Sequence, residues 1–293
     1  MSYRKRLDRA FQDALCLPLN KDTKYVIFSD CHRGIGNYTD NFLKNATNYS
    51  AALQYYYQNG YHYIEAGDGD ELWENKSLDE ICEIHSGICR ELECFQQAHR
   101  LSLLYGNHDI IKKYPCFSFH NFSYKESIIL QSHSPHINFR IIHGHQIDFI
   151  NSTLWRISRF LVRHLWAPLE SFGLKDPTSA AKNNYKKNRL EKRYLSYAKK
   201  QGCYLLTGHT HNPGLCTVLS PYCNSGSCVH PGGITCIELT GYQIRLVKWC
   251  VRTQKDGALN IGSAKCPPLY PLYVTREILH SDTLSELPQT TSS

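Results

Sequence analysis

Five short apolar runs in this chain each end in a cluster of Asp, Asn and His, and few architectures accommodate that pattern. Tyr25 to Ser29 leads into Asp30-Cys31-His32, Tyr61 to Ala66 into Gly67-Asp68-Gly69-Asp70-Glu71, and Leu101 to Tyr105 into Gly106-Asn107-His108-Asp109. Asn138 to Ile142 leads into His143-Gly144-His145, and Tyr204 to Thr207 into Gly208-His209-Thr210-His211. β-Branched and aromatic residues fill the runs and turn residues bound them, so each reads as a buried strand. Helical patterns over 39–59, begun by Thr39 or Asp40 and stopped by Gly60, and over Leu78 to His99 separate the first three. Strand alternating with helix predicts an α/β sheet. Further strands are expected at Ser127 to Gln131 and in a hairpin, Ile234 to Leu239 and Tyr242 to Trp249, about Thr240-Gly241.

At 293 residues the chain can bury a substantial core, and 42% hydrophobic with 20% charged residues excludes a disordered or fibrous protein. The longest segment without Lys, Arg, Asp or Glu, Gln201 to Ile237, contains Pro213, Pro221 and Pro231 and cannot be one lipid-exposed helix. Charges at Arg4, Lys5, Arg6, Asp8, Arg9 and Asp13 leave no apolar core for a signal peptide. The 13 cysteines are odd in number and no CxxC occurs, so reduced thiols and a cytoplasmic location are expected, and a structural zinc knot is not.

The formal charge of +7 is unevenly spread. Residues 151–200 hold twelve Lys and Arg against three acids, which is +9 and leaves the rest of the chain at −2. Two helical patterns fill this segment. Arg156, Arg159 and Arg163 share one face of the first; Lys186, Arg189 and Arg193 align in the second against Leu190, Tyr194 and Tyr197. Pro168, Gly173 and Pro177 separate them. The segment reads as a helical hairpin inserted between two strands. Beyond Val251 the pattern is lost, and the last dozen residues read as a loose tail.

Taken singly, a DxH or a GNHD is as often a capped turn as a site. Five clusters at the C-terminal ends of strands are another matter, because open α/β sheets build their sites along that edge. In extended backbone, residues at i and i+2 point the same way, so Asp30 with His32, and His209 with His211, can grip one ion. Asp, Asn and several His together suit two divalent first-row metals.

The order Asp-x-His, Gly-Asp-x-x-Glu, Gly-Asn-His-Asp, His-Gly, Gly-His-Thr-His resembles the calcineurin-like metallophosphoesterase superfamily over roughly Tyr25 to Trp249. The resemblance implies a four-layer α/β/β/α sandwich, with a phosphoesterase domain over 1–250 that includes the basic helical insert or cap, and a C-terminal extension over 251–293. It also implies a binuclear centre, Mn²⁺ ahead of Fe or Zn. Asp30, His32 and His211 would hold one metal. Asp68 would bridge both, and Asn107, His143 and His209 would hold the other. Glu71 would stand behind the ligands. A hydroxide shared by the metals would attack phosphorus, with His108 protonating the leaving oxygen and Asp109 orienting the His108 ring. Arg33 is a candidate phosphate contact, and His145, Arg156, Arg159 and Arg163 are further candidates on the substrate side.

Within the superfamily the chain is most similar to the UDP-2,3-diacylglucosamine hydrolase-like branch, through Ser29 to Gly34, Glu71-Leu72-Trp73, the insert between His143 and Gly208, and Asn224-Ser225-Gly226-Ser227. His108 and Arg33-Gly34-Ile35-Gly36 depart from that branch. The implied substrate is a phosphate-bearing small molecule or lipid, with peripheral contact to an anionic membrane through the basic insert. Two other readings stand beside it. One is a nuclease or cyclic-nucleotide phosphodiesterase, although no nucleic-acid module accompanies the basic segment. The other is a non-catalytic scaffold with a basic face.

Overall fold

The computed structural model describes residues 1–114, 122–148, 159–160, 162, 183–252 and 273–288. Two sheets face each other. One has seven strands: β2 (Lys24–Phe28), β3 (His62–Ala66), β4 (Leu101–Leu104), β5 (Tyr124–Lys125), β10 (Ile234–Thr240), β11 (Gln243–Arg252) and β12 (Tyr273–Thr283), in the order β12-β11-β10-β2-β3-β4-β5. The other has five: β1 (Leu15–Pro18), β6 (Ser127–His133), β7 (His136–Ile142), β8 (Tyr204–Thr207) and β9 (Tyr222–Asn224), in the order β1-β6-β7-β8-β9. β2, β3 and β4 run parallel, as do β7 and β8, so their C-terminal ends lie along common edges.

Alternation along each strand builds the layers. On β2, Tyr25 and Ile27 face the opposite sheet and join Ile64, Phe139, Leu206 and Leu239 in the central core. Val26 and Phe28 face outward, against Tyr49 and Tyr56 of α2 (Ala46–Gln58) and Leu92 and Phe95 of α4 (Ser86–Gln97). On the far side, Leu7 and Ala10 of α1 (Tyr3–Ala10) and Leu190, Tyr194 and Tyr197 of α5 (Asn184–Gln201) cover Ile142 and Leu205. The result is the four-layer α/β/β/α arrangement expected from the sequence. Leu190, Tyr194 and Tyr197 form the buried stripe that the second basic pattern predicted, whereas most of the first pattern lies outside the described residues. Among the described residues no helix is long and apolar enough to cross a membrane.

Three elements differ from expectation. The helix expected over 39–59 begins at Ala46, because the Asp40 carboxylate accepts from the backbone N–H of Gly36 (2.9 Å) and Leu43 (3.1 Å) and fixes a turn there. The helix expected over 78–99 breaks at His85, separating α3 (Leu78–Ile84) from α4, and the His85 ring binds the same Asp40 at 3.1 Å. Residues 273–283, left without pattern in the sequence, pair with β11 as an edge strand across a bulge at Leu246/Val247. Arg276 ties this strand down by meeting the fully buried Glu238 (Nε–Oε1 2.7 Å), which also accepts from Tyr56 (2.6 Å). An edge strand with one solvated face, held by an ion pair, carries little hydrophobic alternation to read.

His62 opens β3 with its Nε2 against Ser102 Oγ (2.8 Å) and its ring tilted on Tyr25. Burial, reinforced by the Arg100 charge, depresses its pKa to about 4. The unfolded chain therefore takes up this proton first, near pH 6.5, so the stabilising contribution is complete above that pH and declines as pH falls toward 4. We expect denaturant titrations to show wild type losing on the order of 2 kcal/mol more over that window than His62→Gln.

Candidate metal centre

The five predicted clusters converge where the two sheets meet. Backbone hydrogen bonds carry the parallel pairing past the strand ends: Asp30 N donates to Gly67 O (3.0 Å), His32 N to Asp68 O (2.9 Å) and Gly208 N to His143 O (3.0 Å). Side chains then cross between loops. His108 N donates to Asp68 Oδ1 (2.8 Å), and His209 N, from the other sheet, donates to Asp30 Oδ2 (3.0 Å). The segment Asn224 to Ser227 braces this junction from behind, with Asn224 Nδ2 on Gly208 O (2.7 Å) and Ser225 Oγ on Ser29 Oγ (2.7 Å).

Asp30, His32, Asp68, His209 and His211 all have left-handed backbone, with φ of 54°, 49°, 53°, 63° and 51°. The sequence reading placed the i, i+2 pairs on extended chain. Asp30 and His32 do fall in one group of ligand atoms, whereas His209 and His211 fall in different ones, and none of the four is on extended chain. Left-handed backbone in residues with a Cβ is uncommon and concentrates at functional sites.

Among the described residues, three groups bring ligand atoms within 4.8 Å of one another: Asp30, His32 and His211; Asp68, His143 and His209; and His32, Glu71 and His108. Asn107 joins the second, its Oδ1 at 3.2 Å from His143 Nε2. All seven residues expected as ligands are therefore together. His143 Nε2 lies 3.1 Å from Asp68 and 4.0 Å from Asp30, and His211 Nε2 lies 3.0 Å from Asp30.

This donor set fits divalent cations. His32 Nε2 is buried without a hydrogen-bond partner and faces the carboxylates of Asp30 and Asp68 at 3.9 and 3.8 Å. Three of the histidines have their second ring nitrogen occupied from behind: His32 Nδ1 by Glu71 (2.8 Å), His143 Nδ1 by Ala66 O (2.9 Å) and His209 Nε2 by Asp148 (3.4 Å). That arrangement orients an imidazole toward a metal. The electrostatics agree. Burial opposes ionisation of Asp30, yet His211 and His143 hold its pKa at about 2. Burial likewise disfavours charge on His32 and His143, but the surrounding carboxylates raise them to about 10 and about 9. A field that draws protons onto buried imidazoles also favours a divalent cation there.

The neighbours of the ligand set require corrections. Glu71, not Asp109, holds the His108 ring, at 2.8 Å from Nδ1, while Trp73 stacks on its face with centroids 4.3 Å apart. Asp109 turns inward to Gly106 N (2.7 Å), Gly69 N (3.2 Å) and Lys112 Nζ (2.8 Å). Arg33 is not at the surface to meet phosphate. It is 4% exposed, with its guanidinium bound by Glu65 (2.7 and 3.0 Å) and Asp70 (2.7 Å). Lys112 joins the same buried network through Asp70. His145 is buried, 5.5 Å ring to ring from His143, rather than on a substrate-facing surface. Arg156 and Arg163 lie outside the described residues, and Arg159 is part-buried. The sequence reading missed Lys112, Asp148 and Glu65, whose only sequence signal is proximity to, or alternation from, a motif residue.

No protein-family model matches the sequence, and no curated protein is similar to it in sequence. Among solved structures, Vps29 from Chaetomium thermophilum is similar at 10% identity and TM-score 0.40, covering 90% of this chain and 98% of that one. A cold-active protein-tyrosine phosphatase of a psychrophilic Shewanella is similar at 14% identity and TM-score 0.37, over 80% of this chain and 79% of that one. A point mutant of a cold-active protein-tyrosine phosphatase is similar over the same shares of the two chains, at 13% identity and TM-score 0.39.

Two motif glycines are required by the carboxylates packed on them. A Cβ at Gly106 would lie 2.1 Å from Asp68 Oδ1 and 2.6 Å from its backbone nitrogen; one at Gly208 would lie 2.2 Å from Asp30 Oδ2. Neither carboxylate can yield without disturbing the groups around Asp30 and Asp68. Gly106→Ala should therefore lose most divalent-metal uptake and about 1–3 kcal/mol of stability. Gly87→Ala, in a helix with nothing within 4 Å of the new methyl, should bind metal normally and gain up to about 1 kcal/mol. Elemental analysis after dialysis, with thermal melts, checks both.

Proposed function

We propose that the chain is a binuclear-metal-dependent hydrolase of phosphoester or pyrophosphate bonds. The observation that carries this reading is the pair of ligand groups that meet at Asp68, with His108 held at their margin. Asp30, His32 and His211 would hold one cation, and Asn107, His143 and His209 the other. Asp68, which approaches both His32 and His143, would serve each. Mn²⁺ is the expected metal, with Fe or Zn as alternatives. When bound, such cations neutralise charge on phosphoryl oxygens and acidify water.

The protein's own contribution centres on His108. Glu71 engages Nδ1, which leaves Nε2 free to meet the substrate, and the His108 side chain keeps 24% of its surface. Glu71 and Asp68 favour the protonated ring against the penalty of burial. His108 can thus deliver a proton from Nε2 to the departing oxygen, with Trp73 fixing the plane of the ring. The exposed members of the site are His32, His108 and His211, at 13%, 24% and 14% of their side-chain surface, so the reacting phosphate is expected from that side. A nucleotide-linked or lipid-linked pyrophosphate is the finer reading, resting on the motif resemblance at Ser29 to Gly34, Glu71-Leu72-Trp73 and Asn224 to Ser227 alone.

Purified protein with Mn²⁺ should hydrolyse an aryl phosphate or a nucleotide pyrophosphate, and chelation should reversibly abolish turnover. Asp68→Ala should lose both metal and activity. His108→Ala should keep its metal and lose about 10²–10⁴ in kcat. Full turnover in both variants would sink the proposal.

A further inference from the structure

The basic helix α5 does more than cover the sheet, since one side of it grips the two loops that carry His143 and His209. Lys186, in its first turn, places Nζ 2.7 Å from Asp148 Oδ2. Glu191 accepts from Thr210 Oγ1 (2.9 Å) and from Asn212 Nδ2 (3.1 Å), on either side of His211. Tyr194 donates to Gly144 O (2.6 Å), directly after His143. These three residues lie within about two helical turns, so the helix presents them together.

Asp148 is the point where this helix reaches the pocket. It is 4% exposed, and the oxygen that meets Lys186 also lies 3.4 Å from His209 Nε2. With Nε2 donating to Asp148, Nδ1 is the nitrogen of His209 left to face Asp68 and His143. We infer that Asp148 is a positioning residue that sets the tautomer and rotation of His209, and that Lys186 of the basic helix holds Asp148 for that task. The inference rests on the proposed role of His209 as a metal ligand. It gives part of the positive charge of the insert a definite purpose, which is to lock one of the two cation sites rather than to meet substrate. The Asp30, His32 and His211 group has its own support from Glu71 and should not depend on this contact.

The test measures Mn²⁺ binding to the full-length protein by titration calorimetry and by the electron paramagnetic resonance of free Mn²⁺. Wild type should bind two ions per chain. Asp148→Asn should weaken one of them by about 10–100-fold and leave the other unchanged. Lys186→Met should weaken the same ion to a smaller degree. Lys199→Met, exposed at the far end of the helix, should change neither. Two wild-type affinities in Asp148→Asn would overturn the inference while leaving the metal centre intact. A wild-type protein that takes up no divalent cation would overturn both together. Should Asp148→Asn fail to fold, histidine-ring nitrogen NMR of the wild type decides the matter. A His209 protonated on Nε2 supports the inference, and one protonated only on Nδ1 refutes it.

Discussion

Asp30, His32, Asp68, His209 and His211 sit at φ between 49° and 63°, a conformation that costs a residue with a Cβ roughly 1–2 kcal/mol. Five together set several kcal/mol of strain against a stability that for a typical domain is only about 5–15 kcal/mol. The backbone holds because hydrogen bonds from both sheets constrain it. Asp30 and His32 are bound to the loop of β3, His209 N is bound to the Asp30 carboxylate, and Gly208 N to the loop of β7. The groups around Asp30 and around Asp68 each draw residues from both sheets. The sandwich is therefore a precondition of the site, because only two packed sheets bring the loop ends close enough to hold one another.

Charge is arranged in two tiers around those loops. Next to the pocket lie Asp30, Asp68 and Glu71, which draw protons onto His32, His108 and His143. Below it, Arg33 and Lys112 are enclosed by Glu65, Asp70 and Asp109. A buried ion-pair network contributes little net stability, but loss of one partner strands a charge and costs about 3–5 kcal/mol. Its value here is geometric. Asp70 and Asp109 lie two residues beyond Asp68 and Asn107, so clamping them through Lys112 fixes the relative positions of the second and third loops. The same clamp explains why Asp109 is not available to His108 and why Glu71, on the pocket side, holds that ring instead.

The sequence displayed what depends on local pattern. Strand runs are apolar, motif residues end them, and the order of the motifs carries the resemblance that implies the ligand set. It did not display what depends on partners far along the chain. Arg33 beside His32 looks like a phosphate contact until its partners Glu65 and Asp70, 32 and 37 residues away, are known. Asp109 and Glu71 are equivalent acids beside a motif, and only the turn of each loop decides which meets His108. The expectation of extended chain at Asp-x-His failed for a related reason. Two side chains can converge from an extended strand or from left-handed backbone, and residue spacing does not distinguish them. The edge strand β12 escaped because an ion pair to Glu238, rather than alternation, attaches it.

The basic insert illustrates how net charge can mislead when read as surface. Its +9 suggested a face for phosphate or anionic lipid, yet the described helix directs Lys186 inward to Asp148 and Arg193 onto the ring of Tyr3 in α1. Of its few acids, Glu191 is committed to the loop of His209 and His211. Arg189, Lys192, Lys199 and Lys200 remain exposed on this helix, as do Arg4, Lys5 and Arg9 on α1. This helix is bonded at several points to the loops of His143 and of His209 and His211, so contact with its outer face bears on those loops through Lys186, Glu191 and Tyr194.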